Sequence, residues 1–67
     1  MTWKKYQKIK LQEMRPYILG EDLSEVSVNS EDIPEEGGMV ARNSSNHKDR
    51  WYVAKLFFEE NYELKED

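Results

Sequence analysis

The chain contains no cysteine, which excludes disulfide bridges, thiolate metal sites and cysteine nucleophiles. Secreted domains of this size usually depend on disulfides, so this absence favours a cytoplasmic protein. The amino-terminal residues hold no apolar run of the length that a signal peptide or a membrane span requires, and we expect no membrane association. With 67 residues, the chain has room for one small domain, spanning 1–67 with frayed ends (the carboxyl-terminal tail being 64–67), and none for a large enclosed active site.

Groups that carry catalysis or bind metals are scarce as well. The sequence has no phosphate-binding glycine loop and no Gly-x-Ser-x-Gly motif. His47 is the single histidine; Asp49 could orient it as a general base, but a lone histidine in a polar segment is more often an exposed residue. The acidic residues of 31–36 lack the ligand alternation of an EF-hand. We therefore expect no enzyme, no catalytic residue, no metal site and no cofactor.

Charge is distributed unevenly along the chain. Residues 1–19 contain five basic residues and one acidic residue, whereas the rest contains five basic and thirteen acidic ones, for a net charge of -4. Trp3, Tyr6 and Tyr17 lie among the basic residues, a pattern that suits stacking on bases. A domain of net negative charge repels a polyanion, so nucleic acid is not an expected partner. The simpler interpretation is that the basic segment lies beside acidic segments of the same chain.

The first half of the chain predicts short extended segments separated by turns. Ile9 and Leu11 alternate with polar residues, which is typical of a half-buried strand. Pro16 cannot donate to a strand ladder, so residues 14–19 belong at a sheet edge or a strand end. Residues 20–24 predict a turn, and Val26 and Val28 then alternate in a short second strand or an extended arm.

The middle of the chain predicts one buried strand between two loops. Residues 29–38 are acidic and rich in turn formers, which indicates a loop. Residues 39–42 form an apolar run that is too short for a helix and suits a buried strand. Residues 43–50 are polar throughout and predict a second loop.

The carboxyl-terminal third admits two interpretations. In the first, Asn46 caps one long helix with an apolar stripe that contains Trp51 and Tyr62. In the second, residues 51–53 form a strand that pairs with residues 38–42, and a short helix follows at about 55–61. We favour the second, because aromatic and β-branched residues prefer strands and because one long helix leaves further apolar residues outside its stripe.

The predicted fold is therefore α+β: a small twisted antiparallel sheet of three to four short strands with a short carboxyl-terminal helix covering one face. In this fold the residues 56–58 of the helix face the sheet. The predicted core comprises Met39, Ala41, Trp51, Val53, Leu56, Phe58 and Tyr62, together with Ile9 or Leu11.

The predicted hairpin gathers several hydrogen-bond donors at one end beside an aromatic ring. They could hold an anionic small molecule such as a nucleotide through guanidinium contacts and stacking. The structural alternative is that the asparagines shape the turn and that Asp49 pairs with a neighbouring arginine. The candidate ligand-binding or partner-binding residues are Arg42, Asn43, Asn46, His47, Arg50 and Trp51.

Several motifs resemble a group of short proteins of unknown function encoded by tailed bacteriophages. The resemblance covers nearly the whole chain and comprises EMRPY at 13–17, GEDL at 20–23, GGMVARN at 37–43, WYV at 51–53 and FEENYE at 58–63. Those proteins often have an asparagine where this chain has Ala54. The last part also resembles phage domains with a strand, a turn, an aromatic strand and a terminal Phe-x-x-x-Tyr helix. The resemblance implies a phage origin and the strand-turn-strand-helix order, and it implies no activity.

A small, acidic chain with no catalytic constellation suits a non-enzymatic phage accessory protein. We expect it to bind a host protein in the host cytoplasm, in order to block a defence system or to redirect host machinery. The alternative function is a small-ligand binder that uses the hairpin end. The chain also has more aromatic surface than one short helix can cover, which points to a homodimer as a further form.

Overall fold

The computed structural model describes residues 2–6 and 11–64. Three strands and one helix follow each other along the chain: β1 (Glu13–Pro16), β2 (Met39–Asn43), β3 (Asn46–Val53) and α1 (Lys55–Asn61). The α+β class is confirmed, with a three-stranded sheet; the fourth strand that the sequence allowed does not occur in these two ranges. The carboxyl-terminal third runs as a strand and then a helix, so the interpretation as one long helix is wrong.

The sheet is antiparallel, with the strand order β1-β2-β3. β1 therefore occupies an edge of the sheet. Pro16 predicted this position, because proline has no backbone N–H to donate to a strand ladder. Pro16 lies opposite Met39, and Glu13 lies opposite Arg42. Of the strand predicted around Ile9 and Leu11, Ile9 lies outside the described residues, and Leu11 precedes β1.

Successive side chains of a strand point to opposite faces, which gives this sheet two distinct sides. We call one side the arginine face; it carries Val40 and Arg42 of β2, with the cross-strand partners Glu13, Arg15, Arg50 and Tyr52. The other side, the helix face, carries Met39 and Ala41 with the partners Met14, Pro16, Trp51 and Val53. The sheet therefore separates a charged face from an apolar one.

The buried core is smaller than predicted and is centred on the sheet. Among the residues that the structure describes, four apolar ones are buried: Val40, Ala41, Tyr52 and Val53. Ala41 and Val53 were predicted, whereas Val40 and Tyr52 were missed because the segment that covers the arginine face is not periodic. The predicted core residues Met39, Trp51, Phe58 and Tyr62 are half-buried.

The helix covers the sheet less than predicted. None of its residues is buried, and Leu56 and Phe57 are 68% and 55% exposed. The prediction that Leu56 and Phe57 face the sheet is wrong, as is the core position of Leu11, which is 68% exposed. A helix of seven residues has two turns, so most of its side chains cannot reach the sheet.

The segment between β1 and β2 packs on Tyr52. The Glu35 amide donates to the Tyr52 hydroxyl at 3.1 Å, and the Tyr17 ring meets the Tyr52 ring edge-on with centroids 5.8 Å apart. Ser27 forms an isolated parallel bridge with Trp51, so the stretch around Val26 and Val28 is an extended arm beside β3 rather than a strand. Residues 29–38 form the predicted loop.

The second predicted loop, at 43–50, is wrong. Only Ser44 and Ser45 form the turn, and β3 already begins at Asn46. The Asn43 side chain accepts the Ser45 amide at 2.9 Å, which closes the chain on itself without a longer loop. The polar composition of this stretch correctly indicated that its residues are exposed. It did not indicate a loop, because most of these exposed residues lie on the part of β3 that extends beyond the core.

Candidate functional site

The hairpin end brings together four of the six predicted site residues in two pairs. Arg42 lies opposite Arg50, and Asn43 lies opposite Asn46. The register shifts between the two pairs, so that residues 47–49 form a bulge in β3. The Arg50 Nε donates to the His47 carbonyl at 2.7 Å, which closes the bulge.

Asn43 and Asn46 shape the hairpin, because the side-chain oxygen of each accepts a nearby backbone amide, at 2.9 and 3.2 Å. Trp51 lies opposite Ala41 and thus on the helix face. The structure therefore does not bring its ring beside the two arginines on the arginine face.

Glu13 of β1 is the acidic residue at this end of the sheet, and sequence reasoning did not select it. Its Oε1 accepts the Arg42 Nε at 2.7 Å and lies 3.7 Å from the His47 Nε2. The pairing of Arg42 with Asp49 that the sequence allowed is replaced by this contact. Both side chains are about half exposed, so the ion pair contributes about 1 kcal/mol or less to the free energy of unfolding.

A cavity of about 310 Å³ opens on the arginine face beside these residues. Its lining includes three arginines, Arg15, Arg42 and Arg50, with Glu13, Met14 and Val40. Arg15 was missed because the sequence places it far from the hairpin. The alternation of Glu13 and Arg15 along an edge strand is the signal that could have found both residues. Three arginines that line one cavity suit a ligand with a carboxylate or phosphate group.

A hydrogen-bonded turn follows β1 at residues 18–21. Both Arg15 Nη atoms donate to the Glu21 carboxylate, at 2.9 and 2.7 Å. The Glu21 carboxylate also accepts the Ile18 amide at 3.0 Å, and the Glu21 amide donates to the Ile18 carbonyl at 2.9 Å. Gly20 has a φ of 87°, a conformation that favours glycine. Four hydrogen bonds thus hold the turn in this shape.

The same contacts perturb both ionisable groups. Hydrogen bonds from the Arg15 guanidinium, and then from the Ile18 amide, hold the pKa of the Glu21 carboxyl below its usual value. The hydrogen bond to Glu21 in turn raises the pKa of Arg15. Both groups are therefore charged at neutral pH, and the turn remains closed there.

The tip of this turn presents two large apolar side chains to solvent. Ile18 and Leu19 are 65% and 68% exposed, although the backbone that carries them is fixed by the contacts above. Sequence reasoning placed these residues near a sheet edge and did not select them. Adjacent exposed apolar residues on a fixed backbone are typical of a binding surface.

A larger groove, of about 900 Å³, lies on the helix face between α1 and the start of β1. We call it the acidic groove. Its apolar lining includes Leu11, Met14, Met39, Phe57, Phe58 and Leu64. Four glutamates also line it, Glu13, Glu59, Glu60 and Glu63, and no basic residue of the described chain does.

No protein-family model, curated protein or solved structure matches this chain. Within residues 2–6 and 11–64, no three histidine or acidic side chains are grouped as a metal ion would require. The one helix of the same ranges lacks the length and the apolar character for crossing a bilayer.

Proposed function

We propose that this protein is a non-enzymatic accessory protein of a tailed bacteriophage that binds a host protein in the host cytoplasm, blocking a defence system or redirecting host machinery. The motifs that resemble short phage proteins support the origin. The observation that supports binding is the turn at residues 18–21, where Ile18 and Leu19 are exposed on a backbone held by the Arg15 and Glu21 side chains.

The turn's hydrogen bonds order its backbone before any partner binds. The exposed apolar side chains that this backbone carries bury little surface and so add little to the core. Both features favour binding, because a surface that is already ordered loses less conformational entropy when a partner covers it. Two adjacent aliphatic side chains suit a shallow apolar pocket on the partner, and the net charge of -4 of the whole chain favours a partner that carries basic residues.

The test is affinity purification from bacterial cells, followed by mass spectrometry and a binding measurement with the purified partner. We expect Ile18→Ser combined with Leu19→Ser to lose the partner and to raise its Kd at least about tenfold, the effect of about 1.4 kcal/mol. Ile33→Ser is the matched control, because Ile33 is 86% exposed but lies in a loop away from the turn in sequence. Equal retention by the double variant and the control would contradict the proposal.

The cavity on the arginine face favours a second candidate function, the binding of a small anionic ligand such as a nucleotide. Arg15 and Arg42 already pair with carboxylates. Arg50 makes no ion pair with a residue in the described ranges and uses its Nε for the His47 carbonyl. Its two terminal nitrogens thus provide the bidentate donor that a phosphate or carboxylate needs.

A thermal-shift screen of nucleotides and simple phosphates tests this candidate. A ligand that binds the folded state raises the melting temperature in a saturable manner. We expect that rise to disappear in Arg50→Gln, which keeps the length and the polarity of the side chain. Lys48→Gln serves as the control, because it removes a positive charge from the same bulge. A rise that persists in Arg50→Gln, or none for any anion, would refute this candidate.

A further inference from the structure

The acidic groove and the amino-terminal segment have complementary properties. Residues 2–6 precede the sheet and carry Trp3 and Tyr6, each 91% exposed, with Lys4 and Lys5 between them. The groove is lined by apolar side chains and by glutamates. In the described part of the chain, neither the two lysines nor Glu59, Glu60 and Glu63 form an ion pair.

We infer that residues 2–6 of one copy of this protein bind in the acidic groove of a second copy, and that the exchange is reciprocal in a symmetric dimer. This inference goes beyond the proposed function, because it concerns a different surface and a different partner. The two copies form a closed pair, since each supplies one segment and one groove.

The chemistry of the two surfaces supports this occupant. Trp3 and Tyr6 are the most exposed aromatic residues of the described chain, and the groove contains the stacked rings of Phe58 and Tyr62, whose centroids lie 6.0 Å apart. Aromatic side chains gain from packing against other rings. The two intervening lysines meet a groove rim with no positive charge of its own, which favours the pairing of opposite charges.

The area is sufficient for a specific dimer. A tryptophan or tyrosine buries about 150–250 Å², so the two rings from each of two copies contribute about 600–1,000 Å². The groove surfaces of the two copies contribute about the lower of these two values. The total reaches the range of about 1,200–2,000 Å² in which stable protein interfaces fall.

A charge exchange tests the inference with the full chain. One variant carries Lys4→Glu and Lys5→Glu, and the other carries Glu59→Lys and Glu63→Lys. Both leave the four core residues intact, and the second places positive charge near the carboxyl end of α1, where the helix dipole favours it. Association is measured by sedimentation equilibrium over about a hundredfold range of protein concentration.

We expect the unaltered protein to dimerise and each variant alone to dimerise at least about tenfold more weakly. An equimolar mixture of the two variants should dimerise again, because each segment then meets a groove of opposite charge. Trp3→Ser should also weaken the dimer, whereas Ile33→Ser should not. A protein that stays monomeric at every concentration, including one whose segment occupies its own groove, would overturn the inference. So would a mixture that fails to restore the dimer.

Discussion

Gly38 offers the sharpest test of the packing around the core. The residue is buried, and a methyl group placed on its Cα would overlap the Tyr52 side chain, with the Tyr52 hydroxyl nearest and the Cζ atom at 2.6 Å. Its backbone lies outside the left-handed region, so the substitution Gly38→Ala tests steric overlap alone. The variant must displace either the Tyr52 ring or the Gly38 backbone.

The expected magnitude follows from how firmly that ring is held. Tyr52 is 6% exposed, its hydroxyl accepts the Glu35 amide, and its ring edge meets Tyr17. Overpacking in such a site costs about 1–3 kcal/mol, and loss of the hydroxyl contact adds about 1 kcal/mol. We expect a loss of about 3 kcal/mol, which is most of the stability that a core of this size supplies.

Urea unfolding, followed by far-ultraviolet circular dichroism, measures the loss. Gly20→Ala is the matched control: it has open space around the added methyl but a φ of 87°, so only backbone strain of about 1 kcal/mol is expected. If Gly38→Ala proves no less stable than Gly20→Ala, or lies within about 0.5 kcal/mol of the parent, the packing described here is incorrect.

Three further predictions concern the helix, the turn and the core. Ala54 caps α1 in an extended conformation without a side-chain hydrogen bond, so Ala54→Asn should raise the free energy of unfolding by about 1 kcal/mol in a urea melt. Folding lowers the pKa of the Glu21 carboxyl. The contribution of Glu21 to the free energy of unfolding is therefore complete above about pH 4.3 and disappears as the pH falls through the lowered pKa. Glu21→Gln should destabilise the protein at pH 7 and progressively less in acid. Val53→Ala should destabilise by about 1–3 kcal/mol, whereas Leu56→Ala should stay within about 0.5 kcal/mol in the same assay.

The strands and the helix could be predicted where local pattern and packing agree. The apolar run at 39–42 is too short for a helix, and the aromatic and β-branched residues at 51–53 prefer a strand. The structure pairs the two stretches as parts of β2 and β3. Pro16 likewise indicated an edge strand from a local property, its missing backbone N–H. The exposed half of β3 could not be predicted, because residues 46–50 have the composition of a loop. Only Asn46 and Arg50 of this stretch pair with β2, and the bulge at 47–49 lies between them.

The candidate sites were harder to predict, because they depend on contacts between distant residues. Arg42 and Arg50 could be brought together on the basis of the hairpin alone. Glu13 and Arg15 join them only because β1 pairs with β2 across a segment of more than twenty residues. The face of the sheet on which Trp51 lies depends on the register of β3 against β2. The polar sequence at 47–49 gives no signal for the bulge there, so this face could not be predicted.

The four-residue strand β1 connects the three surfaces. Glu13 and Met14 line both the arginine-face cavity and the acidic groove, while Arg15 lines the cavity and reaches forward to Glu21 in the turn. Ile18 and Leu19 belong to the turn, Arg50 lines the arginine-face cavity only, and Lys4 and Lys5 belong to the amino-terminal segment. Substitutions at these three places therefore alter different surfaces, and their effects should be additive. A variant that abolishes dimerisation can thus be tested for retention of a host protein, and each result bears on one proposal only.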